Sequence, residues 1–317
     1  MVGIAEIAEK AGVSMSTVSN VLNNRKNVGQ KTREKVLKIA DELNYIHKGP
    51  NTETRRKTII VNFSDFDTLF YLDILRGIND YASARGYHIL VCTANDLIHY
   101  AKHDSICGVI VIDSHTDDST IITVANNHIP VITLDRELPH QMIKSILVSN
   151  YEGEKQLMEK LIQKGYEKFA FLNGHSTTDA KERYRAFRDV LKEKNIPFSR
   201  NDLYEGDWHE QSGAQAARLI MLQERMPEVL VCANDMMAIG AIRKFQENGI
   251  RVPEDIAVCG FDDIIISRYL GLTTVNVPDY ERGFLSSQAL INIIDGTGDY
   301  ETSHIGARVR WRNTAEK

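Results

Sequence analysis

Apolar positions in the first 43 residues recur at helical intervals, in three short runs set apart by turn signals. Ile4, Ile7, Ala8 and Ala11 form one face of a helix. Gly12 is free to take the left-handed conformation that ends it, and Ser14 can accept a hydrogen bond from the first turn of the next helix. This second helix, Met15 to Leu22, turns Val18, Val21 and Leu22 inward and leaves Ser16, Thr17, Ser19 and Asn20 outward. The third, Thr32 to Leu43, repeats the spacing at Val36, Ile39, Ala40 and Leu43. Three helices of two to three turns can share one small core, and their order and spacing are those of a helix-turn-helix.

From Thr58 onward the pattern changes to short apolar runs alternating with amphipathic periods. The runs Thr58 to Phe63, Tyr87 to Cys92, Gly108 to Ile112, Val131 to Leu134, Phe169 to Leu172, Glu228 to Cys232 and Ile256 to Gly260 read as strands. Tyr71 to Arg85, Glu152 to Lys164, Ala180 to Lys194, His209 to Arg225 and Met236 to Asn248 read as helices. Near-continuous apolar strands between helices predict parallel sheets covered on both faces, an α/β doubly wound architecture. About 260 residues of such alternation favour two lobes over one sheet.

Composition narrows the function. At 43% hydrophobic and 26% charged residues the chain is ordinary globular protein. Its net charge of -5 hides an asymmetry: residues 1 to 57 hold eleven Lys and Arg against six Asp and Glu, so the remainder carries -10. The basic excess sits on the helix-turn-helix end, where phosphate neutralisation would need it. Four scattered cysteines without CxxC spacing read as buried apolar residues in a reducing compartment. With neither a leader pattern nor a long apolar run, a cytoplasmic location is expected. Between the two regions, residues 47–57 contain Gly49-Pro50 and the basic triplet Arg55-Arg56-Lys57, the composition of a linker.

Ala8-Glu9-Lys10-Ala11-Gly12-Val13-Ser14, Ser16-Thr17-Val18-Ser19, Thr32-Arg33-Glu34-Lys35-Val36 and Leu43-Asn44-Tyr45 resemble the headpiece of the lactose-repressor (LacI/GalR) family of bacterial transcription regulators. Ala233-Asn234-Asp235-Met236-Met237-Ala238, Val252-Pro253-Glu254-Asp255-Ile256 and Gly260-Phe261-Asp262-Asp263 are similar to its regulatory core. The resemblance implies a homodimer that binds a near-palindromic duplex operator, with no membrane partner and no cofactor. A phosphocarrier co-repressor, used by some relatives, is left open. Met15, Ser16 and Asn20 would face base edges, while Thr17, Ser19, Asn23, Thr32 and Arg33 flank them toward the backbone. The expected layout is a headpiece over 1–46, an atypical hinge over 47–57 and an effector-binding and dimerisation core over 58–317. That core would resemble periplasmic sugar-binding proteins, with one lobe near 58–148 and 278–297 and the other near 149–277 and 298–317.

Ligands of open α/β sheets bind beyond the carboxyl ends of strands. Those ends carry Ser64-Asp65, Asp113, Asp135-Arg136, Asn173, Asn234-Asp235 and Asp262-Asp263, groups suited to sugar hydroxyls. Trp208 offers an aromatic face for a pyranose. By resemblance, Arg183, Asn234 and Asp262 are effector ligands and Asp135 and Phe70 line the opposite lobe. The simpler alternative is that Asn234 and Asp262 only cap loops or helices. The function expected is a repressor of carbohydrate-metabolism genes controlled by a sugar or sugar phosphate. The alternatives are a purine or other non-sugar effector, and an enzyme using Asp262 and Asp263 as acid and base. Adjacent carboxylates rarely flank a bond at the roughly 5 to 9 Å that glycoside hydrolysis needs. No Gly-rich phosphate loop, Ser-His-Asp signature or metal-ligand cluster is present either, so no catalytic or metal-binding residue is assigned.

Three departures stand out from the family pattern. Asn20 replaces a familiar Arg and should read adenine by bidentate amide pairing. The stretch Asn95 to Ser105 is too short for a usual second helix. The hinge has His47 for a Pro, Gly49-Pro50 within the would-be helix, and no Leu between Ile46 and Ile59, so an irregular linker without an intercalating wedge is expected.

Overall fold

The computed structural model describes residues 3–22, 25, 28–43, 45, 57–64, 69–93, 96–112, 115–175, 177–298 and 300–316. The chain forms two compact units, Met1–Arg55 and Arg56–Lys317. In the first, α1 (Ile4–Ala11), α2 (Met15–Leu22) and α3 (Gln30–Glu42) enclose Ile7, Ala8, Ala11, Val18, Val21, Val36 and Ala40. Gly12 ends α1 at φ 65°, its N–H returning to the Ala8 and Glu9 carbonyls, and Val13 N donates to Ala8 O at 3.0 Å. Ser14 Oγ accepts from Thr17 N at 3.1 Å, the cap expected for α2. The linker 47–56, to which the expectation of an unwedged hinge belongs, lies outside the described residues.

The second unit holds two six-stranded sheets. The first uses β1 (Thr58–Phe63), β2 (His88–Thr93), β3 (Ile106–Ile112), β4 (Val131–Thr133), β5 (Ile143–Val148) and β11 (Ser303–Ile305), in the order β11-β5-β4-β3-β1-β2. The second uses β6 (Phe169–Asn173), β7 (Leu203–Glu205), β8 (Val229–Cys232), β9 (Ala257–Asp262), β10 (Thr273–Asn276) and β12 (Arg308–Arg310), in the order β12-β10-β9-β8-β6-β7. All pairs are parallel except the edge pair β10 and β12. Each lobe reverses strand order beside its first strand, between β1 and β3 and between β6 and β8. Those reversals are where loops diverge and leave a crevice for ligand.

Helices α4 (Tyr71–Ala84), α5 (Leu97–Ala101), α6 (Asp118–Asn126) and α12 (Asp279–Asp295) cover the first sheet. The second is flanked by α7 (Asn150–Gln163), α8 (Thr178–Glu193), α9 (Glu210–Met221) and α10 (Asp235–Glu247), with α11 (Ile265–Tyr269) between β9 and β10. The expectation of a shortened second helix is met by α5, a single turn that buries Leu97 and Ala101. In each lobe one helix pair approaches through reciprocal glycines. A Cβ on Gly77 would lie 2.0 Å from Tyr280 O, and one on Gly283 2.0 Å from Ile74 O, between α4 and α12. Between α9 and α10, a Cβ on Gly213 would lie 1.9 Å from Met237 O and one on Gly240 1.9 Å from Glu210 O.

The structure moves one expected boundary. The last crossover, expected near 298, falls at 306–307, because β11 still pairs with β5 of the first sheet and β12 is the first segment to return to the second. A three-residue edge strand carries too few positions for alternation to reveal it.

Candidate functional site

The outer face of α2 carries the residues expected to meet DNA. Met15 is 59% exposed, Ser16 is exposed, and Thr17, Ser19 and Asn20 are half-buried beside the core residues Val18 and Val21. Thr32 and Arg33 stand half-buried in the first turn of α3, and Arg33 Nη2 donates to the Arg25 carbonyl. Asn23 lies outside the described residues. A short, polar, solvent-facing helix held by a local core has the shape that enters a major groove.

In the core, a cleft open to solvent lies between the carboxyl ends of the two sheets. All six residues expected to face an effector, Phe70, Asp135, Arg183, Trp208, Asn234 and Asp262, line it. The polar strand ends do not all arrive there. Asp65 and Asp113 lie outside the described residues. Asp235 is fully buried and accepts from Ile264 N, Ser267 Oγ and Thr274 Oγ1, knitting α10 to the β9–β10 connection.

On the second-lobe wall nearly every polar group has an internal partner. Arg183 is 4% exposed. Its Nε donates to Asn150 Oδ1 at 2.8 Å, its Nη1 to Ala233 O and to Asp262 Oδ1 at 3.4 Å, and its Cζ lies 3.6 Å from the Phe261 ring centroid. Asn150 Nδ2 in turn donates to Asp179 Oδ1 at 2.8 Å. Asn234 both caps α10 and lines the cleft: Oδ1 accepts from Met237 N at 3.0 Å and Nδ2 donates to Trp208 O at 2.9 Å. Trp208 sits at φ 74° with its ring against Gly174, where a Cβ would come within 2.3 Å of it. Asp262, at φ 114°, ends β9 in a conformation L-residues seldom adopt, a strain typical of ligand sites. Burial pushes its carboxyl up to about 7, against the pull of Arg183.

Asp263 faces a different set of groups. It receives Arg312 Nη2 at 2.6 Å and Asn276 Nδ2 at 3.2 Å, and does not line the cleft. The two adjacent carboxylates therefore serve separate places and do not form an acid and base pair.

The first-lobe wall is less completely bonded. Asp135 Oδ2 accepts from Arg136 Nε at 3.0 Å, with Nη2 at 2.9 Å, while Oδ1 is buried without a hydrogen-bond partner. Burial raises this carboxyl to about 6, against Arg136. Arg136 is itself fixed by Thr116 O at 3.1 Å and Asp118 Oδ1 at 2.9 Å. Phe70 meets Tyr71 edge-on at 5.3 Å, and Tyr71 stacks on Phe63 at 4.4 Å. Arg282, absent from the expected set, donates Nη2 to Leu134 O and Nη1 to Asp279 Oδ1 at 3.4 Å, and its Nε has no partner. Asp179 and Arg282 are the instructive additions. Asp179 lies four residues before Arg183, on the same helical face, so that spacing could have found it.

Among the described residues no group of three metal-ligating side chains could hold an ion, and no helix is long and apolar enough to cross a membrane.

A helix-turn-helix unit joined to a two-lobed α/β core with a polar cleft defines the class of DNA-binding regulators built on a periplasmic-binding-protein-like sensor. Comparison with known proteins specifies it further. Residues 3–48 match the model for bacterial regulatory proteins of the lacI family, and 158–315 that for a periplasmic binding protein-like domain. The chain is 31% identical to the probable HTH-type transcriptional repressor ExuR of Bacillus subtilis (strain 168), over 93% of this chain and 92% of that one. It is 29% identical to the PurR repressor of Vibrio parahaemolyticus, over 100% and 99%. Among solved structures it resembles the lac repressor dimer bound to operator and an anti-inducer, with TM-score 0.78 and 29% identity over 100% and 99% of the two chains. A CelR–cellobiose complex gives 0.75 and 26%, over 99% and 100%. The chain belongs to the LacI family and is a DNA-binding transcriptional repressor.

Proposed function

We propose that this repressor controls carbohydrate-metabolism genes and that a sugar-like effector, bound between the core lobes, changes its affinity for operator DNA. The observation that carries the reading is the cleft itself. Carboxylates from both lobes, a buried acceptor at Asp135 Oδ1 and the Trp208 ring face one space, the combination that hydroxyl-rich ligands use. The CelR relative, solved with cellobiose, supports the same ligand class. The chain acts as a cytoplasmic homodimer, reads two operator half-sites through Met15, Ser16 and Asn20, and catalyses no reaction.

The PurR relatives keep a purine effector as the second reading. A thermal-shift panel of sugars and purines on the full chain, followed by operator titration with each hit, separates them. Sugars should stabilise the protein and alter operator binding; purines doing so alone would replace the sugar reading. Selection of sites from random DNA tests the headpiece. Adenine should be preferred opposite Asn20, and a guanine preference there would remove Asn20 from that role.

A further inference from the structure

Apart from the effector cleft, the second lobe carries a cavity lined by Tyr184, Arg188, Phe198, Arg200 and Leu203, none of which lines the cleft. Local sequence explains how it forms. Tyr184 and Arg188 lie four residues apart on α8 and so share one helical face. The chain leaves α8 through Asn195 at φ 56° and lays Phe198 edge-on against Phe187, with ring centroids 5.0 Å apart. Arg200 follows in the short 3-10 turn Arg200–Asp202, and Leu203 opens β7.

The walls of this cavity are apolar and anchored. Tyr184, Phe198 and Leu203 are half-buried and pack against the second-lobe core, and Tyr184 meets the rings of Phe171 at 5.4 Å and Phe187 at 6.4 Å. Aromatic groups seated on a packed core hold their shape without a ligand. The arginines are placed differently. Arg188 and Arg200 are both exposed, and among the described residues neither makes an ion pair. Arg188 Nη1 donates to Tyr184 OH at 3.3 Å, with Cζ 5.7 Å from that ring's centroid. The acidic residues nearest in sequence, Asp189 and Asp202, pair with neither, and Asp189 accepts from Tyr151 OH at 3.0 Å. Elsewhere on this lobe exposed arginines do have carboxylates, Arg243 with Glu210 and Arg251 with Asp255. Here the matching charge is missing.

We propose that this cavity is a second ligand site, for a small aromatic carboxylate. The ring of such a ligand packs on Tyr184, Phe198 and Leu203, and its carboxylate takes the N–H donors of Arg188 and Arg200. An apolar body alone would leave both guanidiniums unmatched, and a bare anion would leave the aromatic walls wet. The site uses no residue of the effector cleft and stands whichever effector that cleft takes.

Calorimetry on the full chain with benzoate, phenylacetate and salicylate tests the proposal. Benzamide, which keeps the ring and loses the charge, and acetate, which keeps the charge and loses the ring, are the comparisons. At least one of the three acids should bind once per chain with a Kd below ~1 mM, and both comparison compounds should bind at least about tenfold more weakly. Arg188→Gln combined with Arg200→Gln should weaken the acid by at least about tenfold. Both side chains are exposed, so the double variant should keep its fold, which operator binding checks. Asp135→Asn, in the effector cleft, should leave the acid's affinity unchanged. The proposal is overturned if none of the acids binds, if benzamide or acetate binds as tightly, if the double variant binds like wild type, or if Asp135→Asn abolishes binding.

Discussion

The two walls of the cleft are built differently. On the second lobe, Arg183, Asn234, Asp262 and Trp208 hold one another in place, and each cleft-facing polar group is also a structural one. On the first lobe, Asp135 Oδ1 and Arg282 Nε are buried without partners. A wall that is internally satisfied fixes geometry; a wall with unsatisfied atoms gains most from a ligand, since an unmade buried hydrogen bond is costly. The second lobe is thus the template and the first lobe the responder.

The sharpest way to break this contrast is Arg183→Ala. It removes the countercharge of Asp262 and strips Asn150 and Ala233 O of their donor, so the core should lose about 3–5 kcal/mol of stability in urea unfolding, together with its effector response. A variant of wild-type stability would show that the second wall is no more structural than the first. Asp135→Asn is the counterpart on the first lobe. It should weaken effector binding by roughly 1.5–3 kcal/mol in calorimetry while leaving the urea midpoint near wild type, because the buried carboxylate it replaces already lacks a full set of partners. A stability loss as large as that of Arg183→Ala would make the walls equivalent.

A smaller effect lies behind the second wall. Glu154 on α7 is fully buried with both carboxyl oxygens unpartnered, and burial lifts it to about 8 although Arg183 pulls it down. The folded state therefore keeps a proton that the unfolded chain releases near pH ~4.3. That contribution is fully present below the unfolded value and is lost as pH rises through the folded one. Unfolding midpoints should fall between about pH 4 and pH 8 and level off above, and Glu154→Gln should flatten the decline. An unchanged slope would assign the decline to other groups.

Much of the fold and of the cleft is legible in the sequence, for physical reasons that differ by region. The headpiece core is local, so apolar spacing over forty residues exposes Val18, Val21 and Val36 directly. Strand ends locate the cleft because parallel sheets deliver their carboxyl termini to one edge. Helix α12 escapes because its buried face is Arg282, Gly283, Ser286 and Ser287 beside a few apolar residues, with no continuous stripe to betray it. Arg282 is hidden with it. The separation of Asp263 from Asp262 is equally hidden, since it depends on Arg312, forty-nine residues away.

The glycine-to-carbonyl contacts between α4 and α12, and between α9 and α10, have a mechanical meaning. Helices packed backbone to backbone cannot slide past one another without collision, so each helix pair stiffens its lobe. Any closure on a ligand is then concentrated in the three short straps near 149, 277 and 306, where a few backbone torsions act as the hinge. A small rotation there is carried undiminished to the far rim of each lobe, which makes the lobes levers and the straps their fulcrum.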